Sequence, residues 1–267
     1  MRRTKLPIPG PGERAKFPRP LASGALGVAV SLIAWQILST AIGSSLILPG
    51  PLEVADKLGS IFSTTSFWQA ILGTLERVLF SFFLSVGLGA LTGAASGLRP
   101  WIKDFLAPLL TTIRATPVLA LILVAMFWLP STGVPIFSAF LMAYPIVHTS
   151  AYAGIVSIDR ELLEMASVFK VPPTVQFFRL RLPAARGHFL SGAKSALGLC
   201  WKVVVAGEVL SQPAFALGSG LQDARLSLET GSVLAWAAVT VFLCGVSEFL
   251  LGLLAKRFAE TEGGASA

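Results

Sequence analysis

The sequence predicts an all-α membrane protein with six transmembrane helices, and three observations predict it. The 267 residues are 54% hydrophobic and only 13% charged, with mean hydropathy +0.75, whereas soluble domains carry roughly one-quarter charged residues. Several stretches reach the about 20 apolar residues that a helix needs to cross a bilayer. The longest, residues 115–158, holds no Asp, Glu, Lys or Arg. These runs are solid blocks of Leu, Ala, Val, Ile, Phe and Gly, which excludes the alternating polarity of a transmembrane β-barrel.

The elements follow in order. Residues 1–20 carry six Lys or Arg among five prolines and cannot bury a core, so they form a disordered basic cytoplasmic tail. Leu21–Ile42 is the first span. A cleaved signal sequence is the alternative, disfavoured by the long basic leader and by an apolar run longer than the roughly 7–15 residues of a signal core. Gly43–Arg77 is a non-cytoplasmic connection, broken at Leu48-Pro49-Gly50-Pro51 and holding a short surface helix. Val78–Leu98 is the second span, stopped by Arg99-Pro100. The uncharged stretch 115–158 is too long for one helix and folds back at Pro130–Pro135. That gives a third span over Phe105–Leu129 and a fourth over Pro135–Val156, a tight hairpin. Phe189–Leu210 and Ser232–Ala255 are the fifth and sixth. The membrane domain thus covers 21–256, with a polar loop at 157–188 and a cytoplasmic tail at 257–267.

Charge sets the topology. The formal net charge is +7, and 15 of the 21 Lys and Arg lie in the N-terminal tail, residues 98–104, the 157–188 loop and Lys256-Arg257. The opposite side has Lys57 and Arg225, with Arg77 at a border. By the positive-inside rule both termini and the 157–188 loop face the cytoplasm. The basicity therefore reads as topology and contact with membrane lipid, with no nucleic-acid partner. Cys200 and Cys244 sit inside apolar runs, where they are packing residues without metal-ligand spacing. Gly187–Ser195 is not a phosphate-binding loop, because Ala193 separates Gly192 from Lys194 and no strand precedes it. Without a nucleotide motif, a paired-histidine metal motif or a nucleophile elbow, the chain is not an enzyme. No cofactor is expected.

The polar loop carries the specific signal. Leu162, Leu163, Ala166 and Phe169 recur at three and four, predicting a short amphipathic helix ended by Pro172-Pro173. A second piece, Val175–Leu182, stops at Pro183. Two interfacial helices touching lipid phosphates are the general reading of such a loop. The register is more particular: Glu164-Met165-Ala166, then Lys170, Leu180 and Leu182-Pro183. It resembles the cytoplasmic EAA loop of ATP-binding cassette importer permeases, which runs Glu-Ala-Ala, three residues, Gly, nine residues, Ile, any residue, Leu-Pro. Leu48-Pro49-Gly50-Pro51, Thr74 with Arg77, Trp201 and Ala206-Gly207-Glu208 look like the subfamily that imports nitrate, alkanesulfonates and taurine. The resemblance spans about residues 22–256.

The resemblance implies a type I ABC importer permease fold in the bacterial inner membrane. It also implies a homodimer, an ABC ATPase subunit that binds the ATP, and an extracytoplasmic substrate-binding protein. The first loop helix would dock on the ATPase, with Glu164 meeting a basic residue or helix end and Ala166 allowing close approach. Met165 replaces the middle alanine. Lys170 stands at the glycine position, where a left-handed turn disfavours a side chain, so the turn is expected through Pro172-Pro173.

Charges at membrane depth are costly and mark candidate functional positions. Arg114, Lys202 and Glu208 are the candidates for a translocation pathway or gate. Lys202 and Glu208 are six residues apart, on different helix faces. Glu208 either gates the outer path, meeting an arginine of the other half, or is a helix-end carboxylate reaching water. Arg114 precedes Pro117, whose missing N–H predicts a kink; holding the inner helix ends together is its structural alternative. Lys194 snorkels, and His148 and Glu248 bond across helices. The cationic Arg114 and Lys202 hint at an anionic solute. The rival class is an ion-coupled secondary transporter or channel working through Glu208, Glu248 or Arg114, which calls for inverted repeats and paired carboxylates. An intramembrane enzyme ranks last.

Overall fold

A computed structural model of the chain describes residues 20–263. The tail expected over residues 1–20 lies outside them apart from Pro20, which opens α1. The charged side chains of Lys256 and Arg257 and the last four residues of the expected C-terminal tail lie outside the described set too. α1 (Pro20–Ile42) coincides with the first expected span, and α2 (Pro51–Phe62) is the surface helix of the first connection. Pro51 opens α2 without cost, since the first helical N–H has no intrahelical acceptor. Trp35 Nε1 donates to Pro49 O (3.1 Å) and Ser39 Oγ to Leu48 O (2.9 Å), tying α1 to the turn that follows it.

α3 (Thr65–Leu98) runs for 34 residues, so the helix expected from Val78 starts at Thr65. Arg77 does not mark its border: the side chain is buried and neutralised inside the bundle, so the charge ends nothing. Along α3, Ser81, Ser85, Gly89, Gly93 and Gly97 recur every fourth residue and face α6 (Gly133–Val156). Ser81 Oγ donates to Ile136 O and Ser85 Oγ to Phe140 O, both at 3.2 Å. A Cβ on Gly89 would lie 2.7 Å from Val147 Cβ, and one on Gly93 would collide with His148 O. Small residues at this spacing let two backbones approach closely, which is how helices associate where lipid removes the hydrophobic driving force.

The expected continuous third span, Phe105–Leu129, is broken. α4 (Pro100–Ala115) and α5 (Val118–Ala125) meet at 97°. Pro117 lacks an N–H and forces Thr116 out of the helical region (φ −75°, ψ 124°). Ile122, Ala125 and Val134 then bury together where α5 folds onto the start of α6.

Beyond α6 come α7 (Arg160–Val168), α8 (Pro173–Gln176) and α9 (Leu182–Ser211), then α10 (Leu217–Leu226) and α11 (Thr230–Gly263). Pro183 does not stop a helix as expected. A π-helical turn at Phe177–Arg181 joins α8 to α9, with Leu182 N bonded to Phe177 O. Widening the helix by one residue absorbs the donor that Pro183 lacks, so α8 and α9 form one rod from Pro173 to Ser211. Both cysteines are free, and Cys200 is buried in the core with Trp201, Val204 and Leu217.

Among the described residues, α3, α6, the α8–α9 rod and α11 are each long and apolar enough to cross a bilayer; the bent α4–α5 pair makes a fifth. Leu79, Phe80, Phe83, Leu91, Val241, Phe242 and Phe249 stay exposed on the outer faces, the surface that lipid covers.

The α3–α6 seam makes a paired prediction. Gly93→Ala lowers stability by about 1–3 kcal/mol through overpacking, despite the better helix propensity of alanine. Gly87→Ala, where nothing lies within 4 Å of the added Cβ, raises it by up to about 1 kcal/mol. Thermal unfolding of the detergent-solubilised protein measures both.

Candidate functional site

Two constructions stand out at the ends of the bundle. The first is a hook. α7 is opened by Asp159, whose Oδ1 accepts from Glu161 N (3.0 Å), and closed by Lys170. Lys170 itself adopts the left-handed conformation, at φ 51°. Its N–H bonds to Ser167 O (3.0 Å), and Val171 N bonds to Ala166 O (2.9 Å). This pair of bonds is a Schellman closure, normally made by glycine. The expectation that the turn is built through Pro172-Pro173 is corrected: the prolines only carry the chain onward. The Lys side chain costs about 1 kcal/mol there, offset by satisfying two helix-end carbonyls.

The hook is braced on the bundle. Gln176 Nε2 donates to Val171 O at 2.9 Å, and Arg181 Nη1 to Ile155 O at 3.5 Å. A Cβ at Gly154 would lie 2.8 Å from Ala185 Cβ, so the end of α6 and the start of α9 move together. Glu164 and Met165 point outward, with Val168 and Phe169 77% and 74% exposed. Ala166 is 5% exposed and turned inward, so the close approach expected of it is made within the chain. Leu180 is half-buried, while Leu182 and Pro183 are exposed at the start of α9.

The second construction is a buried charge network at the other end. Glu208 on α9 is fully enclosed. Arg77 Nη1 donates to its Oε1 at 2.8 Å, Thr74 Oγ1 to its Oε2 at 2.9 Å, and Gly218 N to Oε2 at 3.1 Å. Thr74 Oγ1 in turn accepts from Leu217 N (2.9 Å). Arg77 also donates to Ala214 O (3.0 Å) and Phe215 O (3.2 Å). The first two amides of α10 are therefore capped by α3 and α9 rather than by a local side chain, with a carboxylate at the positive end of the helix. Gly218 permits this: a Cβ there would lie 2.5 Å from that of Glu208.

Both readings of Glu208 made from sequence are thereby revised. It reaches no water, and its arginine partner belongs to the same chain, because burial rewards a partner that never leaves. Sequence reasoning placed Arg77 at a border and missed the pair, whose members are 131 residues apart. The signal available was the i, i+3 spacing of Thr74 and Arg77, which puts both on one helix face.

Arg114 and Lys202 lie elsewhere. Arg114, exposed at the end of α4, donates to Pro145 O (3.1 Å) and to Thr149 Oγ1 of α6, so it ties two helices together. Lys202 is exposed on α9 and lines a cavity with Lys194, Gly198 and Glu248. His148 is buried and shares Thr92 Oγ1 with the Tyr144 hydroxyl, both at 3.0 Å.

Bilayer-length helices, with a helical hook at one end and a buried charge network at the other, define a helical membrane protein. The chain belongs to the family described as binding-protein-dependent transport system inner membrane component, whose model matches residues 85–260. It is 28% identical over 252 residues to the taurine transport system permease protein TauC of Escherichia coli K12, covering 91% of this chain and 90% of that protein. A probable ABC transporter permease protein of Brucella melitensis biotype 1 is 30% identical over 236 residues, at 88% and 92% coverage. The nitrate import permease protein NrtB of Synechocystis is 27% identical over 248 residues, at 88% and 85%. Among solved structures, an amino acid ABC transporter superposes with TM-score 0.57 at 20% identity, covering 71% of this chain and 94% of that one. The protein is a multi-pass inner-membrane permease subunit of an ABC importer.

Two outcomes follow. Arg77→Ala and Glu208→Ala each lower unfolding stability by about 3–5 kcal/mol, and the double variant loses clearly less than their sum in a double-mutant cycle in detergent. Lys170→Gly slows hydrogen exchange at the Val171 amide by about fivefold, the equivalent of about 1 kcal/mol of relieved turn strain.

Proposed function

We propose that the chain works as one half of a homodimer, with two ATPase subunits docked on the hooks and a substrate-binding protein delivering cargo on the opposite face. Six spans cross the membrane: α1, α3, the bent α4–α5 pair, α6, the α8–α9 rod and α11. Both termini and the hook are cytoplasmic, following the distribution of Lys and Arg. The partners hydrolyse the ATP. The cargo is a small solute of the taurine, sulfonate and nitrate class, supported by the names of the relatives.

One observation carries this reading: the hook is closed by its own hydrogen bonds, tied to the end of α6, and exposed on its outer face. α7 shows Glu164 beside Met165, Val168 and Phe169, an acidic rim on an apolar patch, the chemistry that a cleft with a basic edge would take. Closure of the ATPase pair would push α7, and Gln176, Arg181 and the Gly154–Ala185 contact would carry the push into α6 and α9. Arg114 and Lys202 face the path between the two halves. Arg114 holds α4 to α6 there, and Lys202 meets the solute.

Reversing one charge tests the docking. Glu164→Arg weakens co-purification of the ATPase by about tenfold or more, while the permease is still recovered folded. Undiminished ATPase capture by the Glu164→Arg chain contradicts the assignment of α7.

A further inference from the structure

Lys194, Gly198 and Lys202 recur every fourth residue on α9, and Glu248 of α11 is inserted between the two lysines. Gly198 makes room for it: a Cβ at that position would collide with Glu248 Oε1. The three charged groups line one cavity of about 430 Å³, together with Ile146, Ser195 and Leu199. The ion pairs among the described residues are Lys57–Glu229 and Arg77–Glu208, so neither lysine is joined to Glu248 within ion-pair distance.

Depth makes the arrangement informative. At 1.5 Å per residue, Lys202 lies about 14 Å from Ser211 at one end of α9 and about 30 Å from Leu182 at the other. Lys202 thus lies well inside α9, away from both of its ends. An exposed ammonium within a spanning segment is costly against lipid, which favours water or a charged solute on this side of α9. The same surface also carries Lys194 one turn to the other side of Glu248.

We propose that Lys194, Lys202 and Glu248 form a solute-binding station within the pathway. The lysines take a compact oxyanion such as a sulfonate, and Glu248 takes an amino group, so the station favours aminoalkanesulfonate zwitterions over plain sulfonates. The inference rests on the importer reading above and adds Lys194, Glu248 and the charge selectivity to the role given there to Lys202. Unlike a permanent ion pair, two cations flanking one carboxylate leave an uncompensated positive charge for an anionic solute to neutralise.

The test uses the complete transporter, with its ATPase and binding protein, in proteoliposomes, and compares uptake of 2-aminoethanesulfonate and ethanesulfonate. Lys202→Gln lowers uptake of both by about tenfold or more, and Lys202→Arg restores most of it. Glu248→Gln lowers uptake of 2-aminoethanesulfonate by about tenfold and leaves ethanesulfonate within about twofold. Co-purification of the ATPase with each variant separates a lost site from a lost fold. The station is overturned if the Glu248→Gln chain keeps the wild-type ratio of the two solutes. It is equally overturned if Lys202→Gln transports normally, or if Lys202→Arg fails as fully as Lys202→Gln in an assembled complex. A wild-type transporter that carries another solute under ATP but neither sulfonate overturns the solute class alone. One with no ATP-driven uptake of any solute removes the importer reading and the station with it.

Discussion

The Arg77–Glu208 pair is the constraint on which the α10 end of the bundle depends. A charge left alone in so enclosed a place costs several kcal/mol, and breaking such a pair costs more than never having built it. Here both oxygens of the carboxylate are engaged, Oε1 by Arg77 and Oε2 by Thr74 and Gly218. Arg77 also donates to the carbonyls of Ala214 and Phe215. Between α9 and α10 the chain passes through two left-handed residues, Gln212 (φ 46°) and Phe215 (φ 53°). Each costs about 1–3 kcal/mol. The network offsets that strain, because the carbonyls it captures lie in the strained segment.

From this fixed end, order propagates through backbone contact rather than through bulky side chains. Serine and glycine at every fourth position of α3 bring it against α6. Gly154, Gly192 and Gly207 do the same between α6 and α9, where added Cβ atoms would meet Ala185, Ser150 and Pro135. Helices in such contact slide or tilt as a unit instead of repacking. The hook is bonded to the ends of these same two helices. In the proposed coupling a displacement at α7 would be delivered to α6 and α9, which line the Lys202 cavity with α11, while the Arg77–Glu208 lock holds the far end of α9 to α3 and α10.

Much of this was legible in the sequence, and the failures share a cause. Apolar run length located α1 and α6 within a few residues and the start of α11, which runs eight residues past the expected Ala255, and the spacing from Glu164 to Pro183 pointed to the hook. Three misjudgements came from reading local signals as final. Arg77 looked like a helix border because its partner is remote in sequence. Pro183 looked like a stop because a π turn can be written by no residue pattern. Lys170 looked unable to take a left-handed turn because the compensating hydrogen bonds are made only once α7 exists. Pro117 was rightly read as a distortion, but the 97° bend depends on the packing of α5 against α6. The charge triad escaped for a related reason: Lys194 and Lys202 lie on α9 but Glu248 on α11, and it is Gly198 that makes room for the carboxylate between them.

In the proposed function this chain converts work done by a separate ATPase on the hook into solute movement. That conversion is tested most directly by reconstituting the chain with its ATPase and binding protein and following 2-aminoethanesulfonate uptake into sealed vesicles. Uptake is expected to require ATP and both partners, and to persist when ion gradients are collapsed. Uptake by the chain alone, driven by an imposed ion gradient and indifferent to ATP, would contradict it.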